Sequence, residues 1–434
     1  MKKAPSPIVS LIPIIVLVLL LFATIRTFGS DALSGGSQVS LLTTTAICIL
    51  IGMVFYKIPW KDYELAITNN IAGVATAIII LLIIGALSGI WMISGVVPTL
   101  IYYGMQIIHP SFFLASTCII CALISVMTGS SWTTIATIGI ALMGIGKAQG
   151  FEDGWIAGAI ISGAYFGDKI SPLSETTILA SSITDTPLFR HIRYMMITTV
   201  PSLVITLIIF TVAGFSHDAN NTQHIAEVAT ALNEKFHITP WLLIVPVATG
   251  ILIARKMPSI ITLFLSTLLA AVFALIFQPD LLEEISGIAA SGFDSLFKGL
   301  MMTIYGETNL HTDNAVLTDL IATRGMSGMM NTIWLILCAM CFGGAMTASG
   351  MVGSITSIFV RFMKKTVSVV SATVCSGLFL NLTTADQYIS IILTGNMFRD
   401  IYAKKGYESC LLSRTTEDAV TVTSVLIPWN SCGM

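Results

Sequence analysis

The chain has 434 residues, of which 55% are hydrophobic and only 10% charged, with a formal net charge of −2. A typical soluble domain carries roughly 25% charged residues, so this composition, with a mean hydropathy of +0.88, sets a bilayer rather than water as the solvent. No basic patch suggests nucleic acid, and no amphipathic tail suggests a peripheral anchor.

Apolar segments long enough to cross a hydrocarbon core of roughly 30 Å recur along the chain. They fall near 8–26, 39–56, 71–93, 112–127, 154–167, 192–213, 240–256, 259–277, 329–348, 366–380 and 408–427, with broken pieces near 96–108, 131–146, 350–363 and 385–398. The pattern predicts an all-α polytopic membrane protein of roughly 10–12 transmembrane helices plus candidate re-entrant hairpins, which need backbone shielded by protein or lining a cavity. The first stretch is read as a span and not a signal peptide, because no small-residue cleavage site follows it closely. Lys2 and Lys3 place the N-terminus in the cytoplasm, and Lys57 and Lys61 return to that side after the base-free loop TFGSDALSGGSQ.

Four parts are expected. Residues 1–70 hold two peripheral N-terminal transmembrane helices, 71–213 a first repeat, 214–328 a linker with two transmembrane helices, and 329–434 a second repeat. A shift of 256 positions places Gly150, Phe151, Glu152 and Pro172 on Gly406, Tyr407, Glu408 and Pro428. A shift of 255 places Ser94, Gly95 and Val97 on Ser349, Gly350 and Val352, and Thr128 on Thr383. Weak internal symmetry of this kind is usual in transporter repeats; spacing alone leaves open whether they are inverted. Carried forward, the offset puts a counterpart of the 192–213 helix at 448–469, past Met434, so the second repeat is expected to lack its last helix within this sequence.

Two polar breaks interrupt the most apolar parts, GAYFGDKISPLSETT (163–177) and RTTEDAVTVTSVLIPWNSCG (414–433). Each carries acids and hydroxyls and runs into a proline. Such breaks at matching places in two halves point to the substrate site of a secondary transporter. An ionised acid near the bilayer centre costs a few kcal/mol or more, so each acid here is a functional candidate.

Asp168 follows the small residues Gly163, Ala164 and Gly167. Pro172 removes a backbone donor and disfavours helix at Ser171. Freed carbonyls, with the hydroxyls of Ser171, Ser174, Thr176 and Thr177, can then face a hard cation, which wants oxygen. The bland reading is an ion pair with Lys169, and Glu175 reads equally well as an interfacial loop acid. Glu417 and Asp418 follow Arg414 by three and four residues on one helical face. A local salt bridge would neutralise one acid and leave the other, while Thr415, Thr416, Thr421 and Thr423 supply oxygens or helix–helix contacts. Asp386 lies in NLTTADQYIS (381–390), with Asn381, Thr383 and Thr384, and its counterpart is TGSSWTTIAT (128–137). Both stretches read as a hairpin tip or helix break, where Asp386 could equally be a plain N-cap. Pro428 and Asn430 close the second break. Glu307, His311 and Asp313 read as surface groups and His109 as interfacial. The C-x-x-C pairs Cys118/Cys121 and Cys338/Cys341 lie in apolar runs without nearby histidine and read as small packing residues.

On these residues the chain resembles the NhaC-type Na⁺/H⁺ antiporter family. GAYFGDKISPLSETT and LSRTTEDAVTVTSVLIPWNSCG are similar to its signature segments and NLTTADQY to a third, with the likeness running from about residue 70 onward and densest at 125–180 and 376–433. The resemblance implies a bacterial inner-membrane carrier that exchanges cytoplasmic Na⁺ for external H⁺, with no cofactor and no metal beyond the transported ion. It implies an ion-transporter-like fold of inverted repeats with broken helices or re-entrant hairpins. Its partners are then Na⁺, H⁺ and the lipid bilayer, with a homo-oligomer left open. The ion- and proton-binding set would be Asp168, Ser171, Ser174, Glu175, Thr176, Asn381, Thr383, Thr384, Asp386, Glu417, Asp418 and Asn430, with Pro172 and Pro428 as helix breaks and Lys169 and Arg414 as counter-ions. Family members normally continue past IPWNSCG with at least one more helix, and some exchange organic acids such as malate for lactate.

Two alternatives follow from the same residues. In an ion-coupled carboxylate carrier, Arg414 would grip the substrate. In an intramembrane aspartyl protease, YFGD (165–168) would supply Asp168 and either Asp386 or Asp418 would complete the dyad, which needs two acids at close quarters.

Overall fold

The computed structural model describes residues 5–216, 222–255, 257–308, 310, 318, 321–355 and 366–433. Lys2, Lys3, His311 and Asp313 lie outside the described residues, as does most of the expected broken piece at 350–363. Every regular element among the described residues is helical. In chain order the helices are α1 Pro7–Phe28, α2 Gly36–Tyr56, α3 Trp60–Gly73, α4 Ala75–Ile93, α5 Val96–Ile107, α6 Pro110–Thr128 and α7 Ser131–Thr134. A five-residue π-helical turn, Ile135–Gly139, leads into α8 Ile140–Ala148. Then come α9 Asp153–Ile170, α10 Glu175–Ile183, α11 Leu188–Ser216, α12 Thr222–Lys235, α13 Ile244–Ala254, α14 Ser259–Phe277, α15 Pro279–Ser286 and α16 Phe293–Tyr305. The last are α17 Gly325–Gly328, α18 Met330–Ala348, α19 Thr366–Thr384, α20 Gln387–Lys404 and α21 Ser409–Ser424.

Eight helices among the described residues are long and apolar enough to cross a bilayer, or nine if the pair Glu227–Lys235 and Pro240–Ala254, bent by 91°, is one broken span. The chain is therefore an all-helical, multi-pass membrane protein. Segments read from sequence as crossings or broken pieces also form α9, α20 and α21, but α9 and α20 fall below that apolarity and α21, at 16 residues, is shorter than a span. The expected span at 71–93 begins at Ala75, because the polar run from Trp60 onward forms its own helix, α3, which stops at Gly73.

Two compact units do not follow chain order. One comprises residues 1–78, 176–194 and 330–434, the other 79–175 and 195–329. In the first, α18 packs on α2 and α3, and α19, α20 and α21 pack on one another. In the second, α6 packs along α9 and α5 along α8, around a core that includes Trp91, Phe113, Ile156 and Ile160.

Each unit holds one copy of the same local design. Helices α6 and α19 end 256 positions apart, as the segments 131–148 and Gln387–Lys404 begin and end, and as α9 and α21 start. Gly129 (φ 68°) and Ala385 (φ 57°) break the chain at the same place in each copy, as do Gly150 (φ 84°) and Gly406 (φ 71°). Alanine adopts that conformation only under strain, so the break at 385 is imposed by its surroundings. Glu152 and Glu408, which precede α9 and α21, share extended geometry with φ −66° and ψ near 140°.

Candidate ion site

In the first copy, α6 and α9 approach closely because Gly163 and Gly167, one turn apart, set their backbone against the carbonyls of Cys118 and Ala122. Cys118 and Cys121 are buried in that seam, where they act as small packing residues. Ser125 Oγ donates to the Ala164 carbonyl, and Ser171 Oγ donates to the Val126 carbonyl at 2.8 Å. The Ser171 hydroxyl thus ties the end of α9 to α6 through its proton. Ser171 itself is extended (φ −77°, ψ 130°), as the following Pro172 requires.

Asp168 sits in the last turn of α9, only 7% exposed. Ser131 Oγ donates to its Oδ2 at 2.8 Å, and the Ser131 backbone N–H and Ser174 hydroxyl also reach it. Ser131 opens α7, so the carboxylate faces the positive end of a helix. Lys169, Thr176 and Thr177 are buried, whereas Glu175, at the start of α10, is exposed.

In the second copy, Asp386 caps α20. Its Oδ1 accepts from Ile389 N at 2.9 Å and its Oδ2 from Ser431 Oγ at 3.0 Å. Thr384 Oγ1 lies 2.9 Å from Ser390 Oγ, and Thr383 Oγ1 donates to the Phe379 carbonyl. Asn381 Nδ2 donates to the Val420 carbonyl at 2.7 Å, and Asn430 Nδ2 donates to the Asn381 carbonyl at 3.2 Å. The helix break, Asp386, Asn381 and the stretch through Pro428 and Asn430 therefore form one hydrogen-bonded knot.

Arg414 pairs with Asp418 at 3.9 Å, and its guanidinium carbon lies 4.8 Å from the centre of the Tyr194 ring. Glu417, one residue earlier, is fully buried. The two adjacent acids thus have different surroundings. Ser131, Ser431 and Gln387 are members of these knots that motif reading leaves out. The signal for Gln387 was the 256-residue offset itself, since it falls on Ser131.

Chemically, the two breaks bring buried carboxylates, hydroxyls and helix termini together, with Lys169 in the first and Arg414 in the second as bases. Among the described residues no group of three or more His, Cys, Asp or Glu side chains could hold a metal ion. The oxygen-rich breaks suit an alkali cation or a proton.

Comparison with known proteins gives the same direction. A model of the Na⁺/H⁺ antiporter family matches residues 163–434. The Na⁺/H⁺ antiporter NhaC of Bacillus subtilis is 35% identical over 394 residues, covering 90% of this chain and 84% of the relative. NhaC of Alkalihalophilus pseudofirmus is 37% identical over 390 residues, covering 89% and 81%. The malate-2H⁺/Na⁺-lactate antiporter of Bacillus subtilis is 36% identical over 399 residues, covering 92% and 82%. The chain belongs to the Na⁺/H⁺ antiporter family.

Proposed function

We propose that this protein exchanges cytoplasmic Na⁺ for external H⁺ across a bacterial cell membrane, with its N-terminus in the cytoplasm. The observation that carries the reading is Asp168, a buried carboxylate at a proline-broken helix end, held by Ser131 from the opposing hairpin. A carboxylate offers the same oxygens to Na⁺ and to a proton, so the two compete. Exchange follows if the site crosses the membrane loaded with either ion but not empty. Asp386 and Glu417 are the further candidate carboxylates, with Ser174, Asn381, Thr384 and Asn430 shaping the breaks around them. Family membership supports a carrier over a protease built on Asp168.

The test is Na⁺-induced proton movement in everted membrane vesicles. Na⁺ should collapse a preformed proton gradient with the unmodified chain, and Asp168→Asn should abolish this. A gradient insensitive to Na⁺ would overturn the reading.

A second reading has its own support in the malate–lactate relative. In it, Arg414 meets a substrate carboxylate. Its pairing with Asp418 would have to open first. Malate or lactate would then move protons where Na⁺ alone does not.

A further inference from the structure

We propose that Glu417, with Ser376, Thr394, Thr416, Thr421 and Asn381 Oδ1, forms a second, dehydrated site for a monovalent alkali cation inside the α19–α20–α21 bundle. The choice of Na⁺ as that cation rests on the antiport reading; the site itself does not.

The first support is a set of buried oxygens. Ser376, Asn381, Thr394, Thr416 and Glu417 are fully buried, and Thr421 is 1% exposed. Among the described residues, the hydroxyls of Ser376, Thr394, Thr416 and Thr421 and the amide Oδ1 of Asn381 have no hydrogen-bond partner. Hydroxyls in helices normally satisfy themselves on the carbonyl one turn back. Their neighbours do so: Thr373 bonds Val369, Thr384 bonds Leu380, Thr415 bonds Leu411 and Thr423 bonds Ala419. Unmade buried polar groups are rare in native proteins and point to a missing partner.

The second support is convergence. A Cβ on Gly377, next to Ser376, would lie 2.9 Å from Val420 Cγ2, 3.3 Å from Ala419 Cβ and 3.8 Å from Thr394 Oγ1. The three helices therefore meet at this level. At about 100° per residue, Thr416, Glu417 and Thr421 share an arc of roughly 140° around Val420. Asn381 is held to the same stretch through its bond to the Val420 carbonyl.

The third support comes from the first repeat, which serves as an internal control. Counted back by 256, the positions of Ser376, Thr394, Thr416, Glu417 and Thr421 are Ile120, Ile138, Ile160, Ile161 and Tyr165. Ile160 is a core residue, and Ile120 and Ile138 pack against that core. At four of the six positions the first repeat thus has isoleucine, while Thr421 falls on Tyr165 and Asn381 on Ser125, so the fold does not require oxygens at Ser376, Thr394, Thr416 and Glu417. The second repeat has an acid and three hydroxyls where the first has four isoleucines. One carboxylate with neutral oxygens, about six ligands in all, matches a hard cation of single charge.

The test uses the full chain in detergent, carrying Asp168→Asn so that the first site is silent. Thermal unfolding is followed against NaCl, with choline chloride holding ionic strength constant. Na⁺ should raise the unfolding temperature, and adding Thr394→Val with Thr421→Val should raise the half-saturating Na⁺ about tenfold or more. Glu417→Gln should remove the response. Valine keeps the shape of threonine, so these variants fold even where Glu417→Gln does not. An unchanged Na⁺ response in the valine pair overturns the site. Vesicle assays of the unmodified chain run alongside. If Na⁺ moves protons there while the valine pair binds Na⁺ normally, this site falls and the antiport reading stands. If Na⁺ moves no protons but stabilises the chain through Glu417 and the hydroxyls, the antiport reading falls and the site stands.

Discussion

Ser131 donates a 2.8 Å hydrogen bond to Asp168, and the pair that occupies the same two places in the second repeat, Gln387 and Ser424, is neutral and meets at 3.4 Å. The same contact, from the first residue of the helix after the hairpin break to the end of α9 or α21, involves a carboxyl group in one copy only. The second copy moves its acid back one position: Asp386 stands where the first has Ser130, and bonds Ser431 where the first has Glu175. The repeats share a frame and differ in where they put charge.

Ser131→Ala should therefore act on ion binding more than on folding. A hydrogen bond to a charged group contributes about 1.5–3 kcal/mol, and each 1.4 kcal/mol is about tenfold in affinity. Half-saturating Na⁺ in the vesicle assay should rise about tenfold or more, with a smaller loss in unfolding temperature because the Ser131 backbone N–H and the Ser174 hydroxyl still reach the carboxyl group. An unaltered Na⁺ dependence would remove Ser131 from the site.

Asp386 has two duties that substitution can separate. As the N-cap of α20 it accepts from Ile389 N, and replacing a cap by alanine costs about 1 kcal/mol. Asp386→Ser copies Ser130, which caps α7 in the first repeat by accepting from Thr133 N. Asp386→Ala should lower thermal stability, while Asp386→Ser should keep it and still abolish Na⁺-driven proton movement. Full transport by the serine variant would reduce Asp386 to a cap.

Much of this was legible in the sequence, and the reasons are local. Apolar runs near 20 residues mark spans because nothing else uses them, so the ends of α1, α2, α6, α14 and α18 fall within a few residues of expectation. The hairpin breaks at 129 and 385 show as hydroxyl-rich interruptions. The extended Ser171 follows from Pro172 alone. Partnerships over distance were not legible. Nothing at Ser131 announces Asp168, 37 positions away. Nor does anything at Ser171 announce that its hydroxyl donates to the Val126 carbonyl, 45 positions away. Glu417 and Asp418 stand equally well spaced from Arg414, and only packing against Tyr194 and the bundle separates the buried acid from the paired one.

The two copies also make the same helix crossing with the small residue on opposite partners. Gly163 of α9 faces Cys121 of α6, while in the second copy Gly377 of α19 faces Ala419 of α21. A Cβ on Gly163 meets the backbone carbonyl of Cys118, which cannot turn away, whereas one on Gly377 first meets the Val420 methyl at 2.9 Å, which can. Gly163→Ala should destabilise by about 2–3 kcal/mol and Gly377→Ala by about 1 kcal/mol or less. Thermal unfolding of both variants in one detergent checks the order; equal losses would contradict it.

Arg414 and Asp418 are partly buried, with side chains 19% and 27% exposed, and 3.9 Å is long for an ion pair. Their direct coupling should be about 1 kcal/mol in a double-mutant cycle of Arg414→Gln and Asp418→Asn. Either single change leaves a charge that has lost its partner, so each should destabilise more than the double variant does. Asp418→Asn should leave Na⁺-driven proton movement largely intact, because its carboxylate serves Arg414, while Glu417→Gln, one residue away, should abolish it. Should Asp418→Asn instead stop exchange and Glu417→Gln spare it, the roles of the two acids are reversed, and the buried glutamate is a packing residue beside a working ion pair. Because the two variants differ by one position on one helix, general damage to α21 would affect both, so only a difference between them reports on the site.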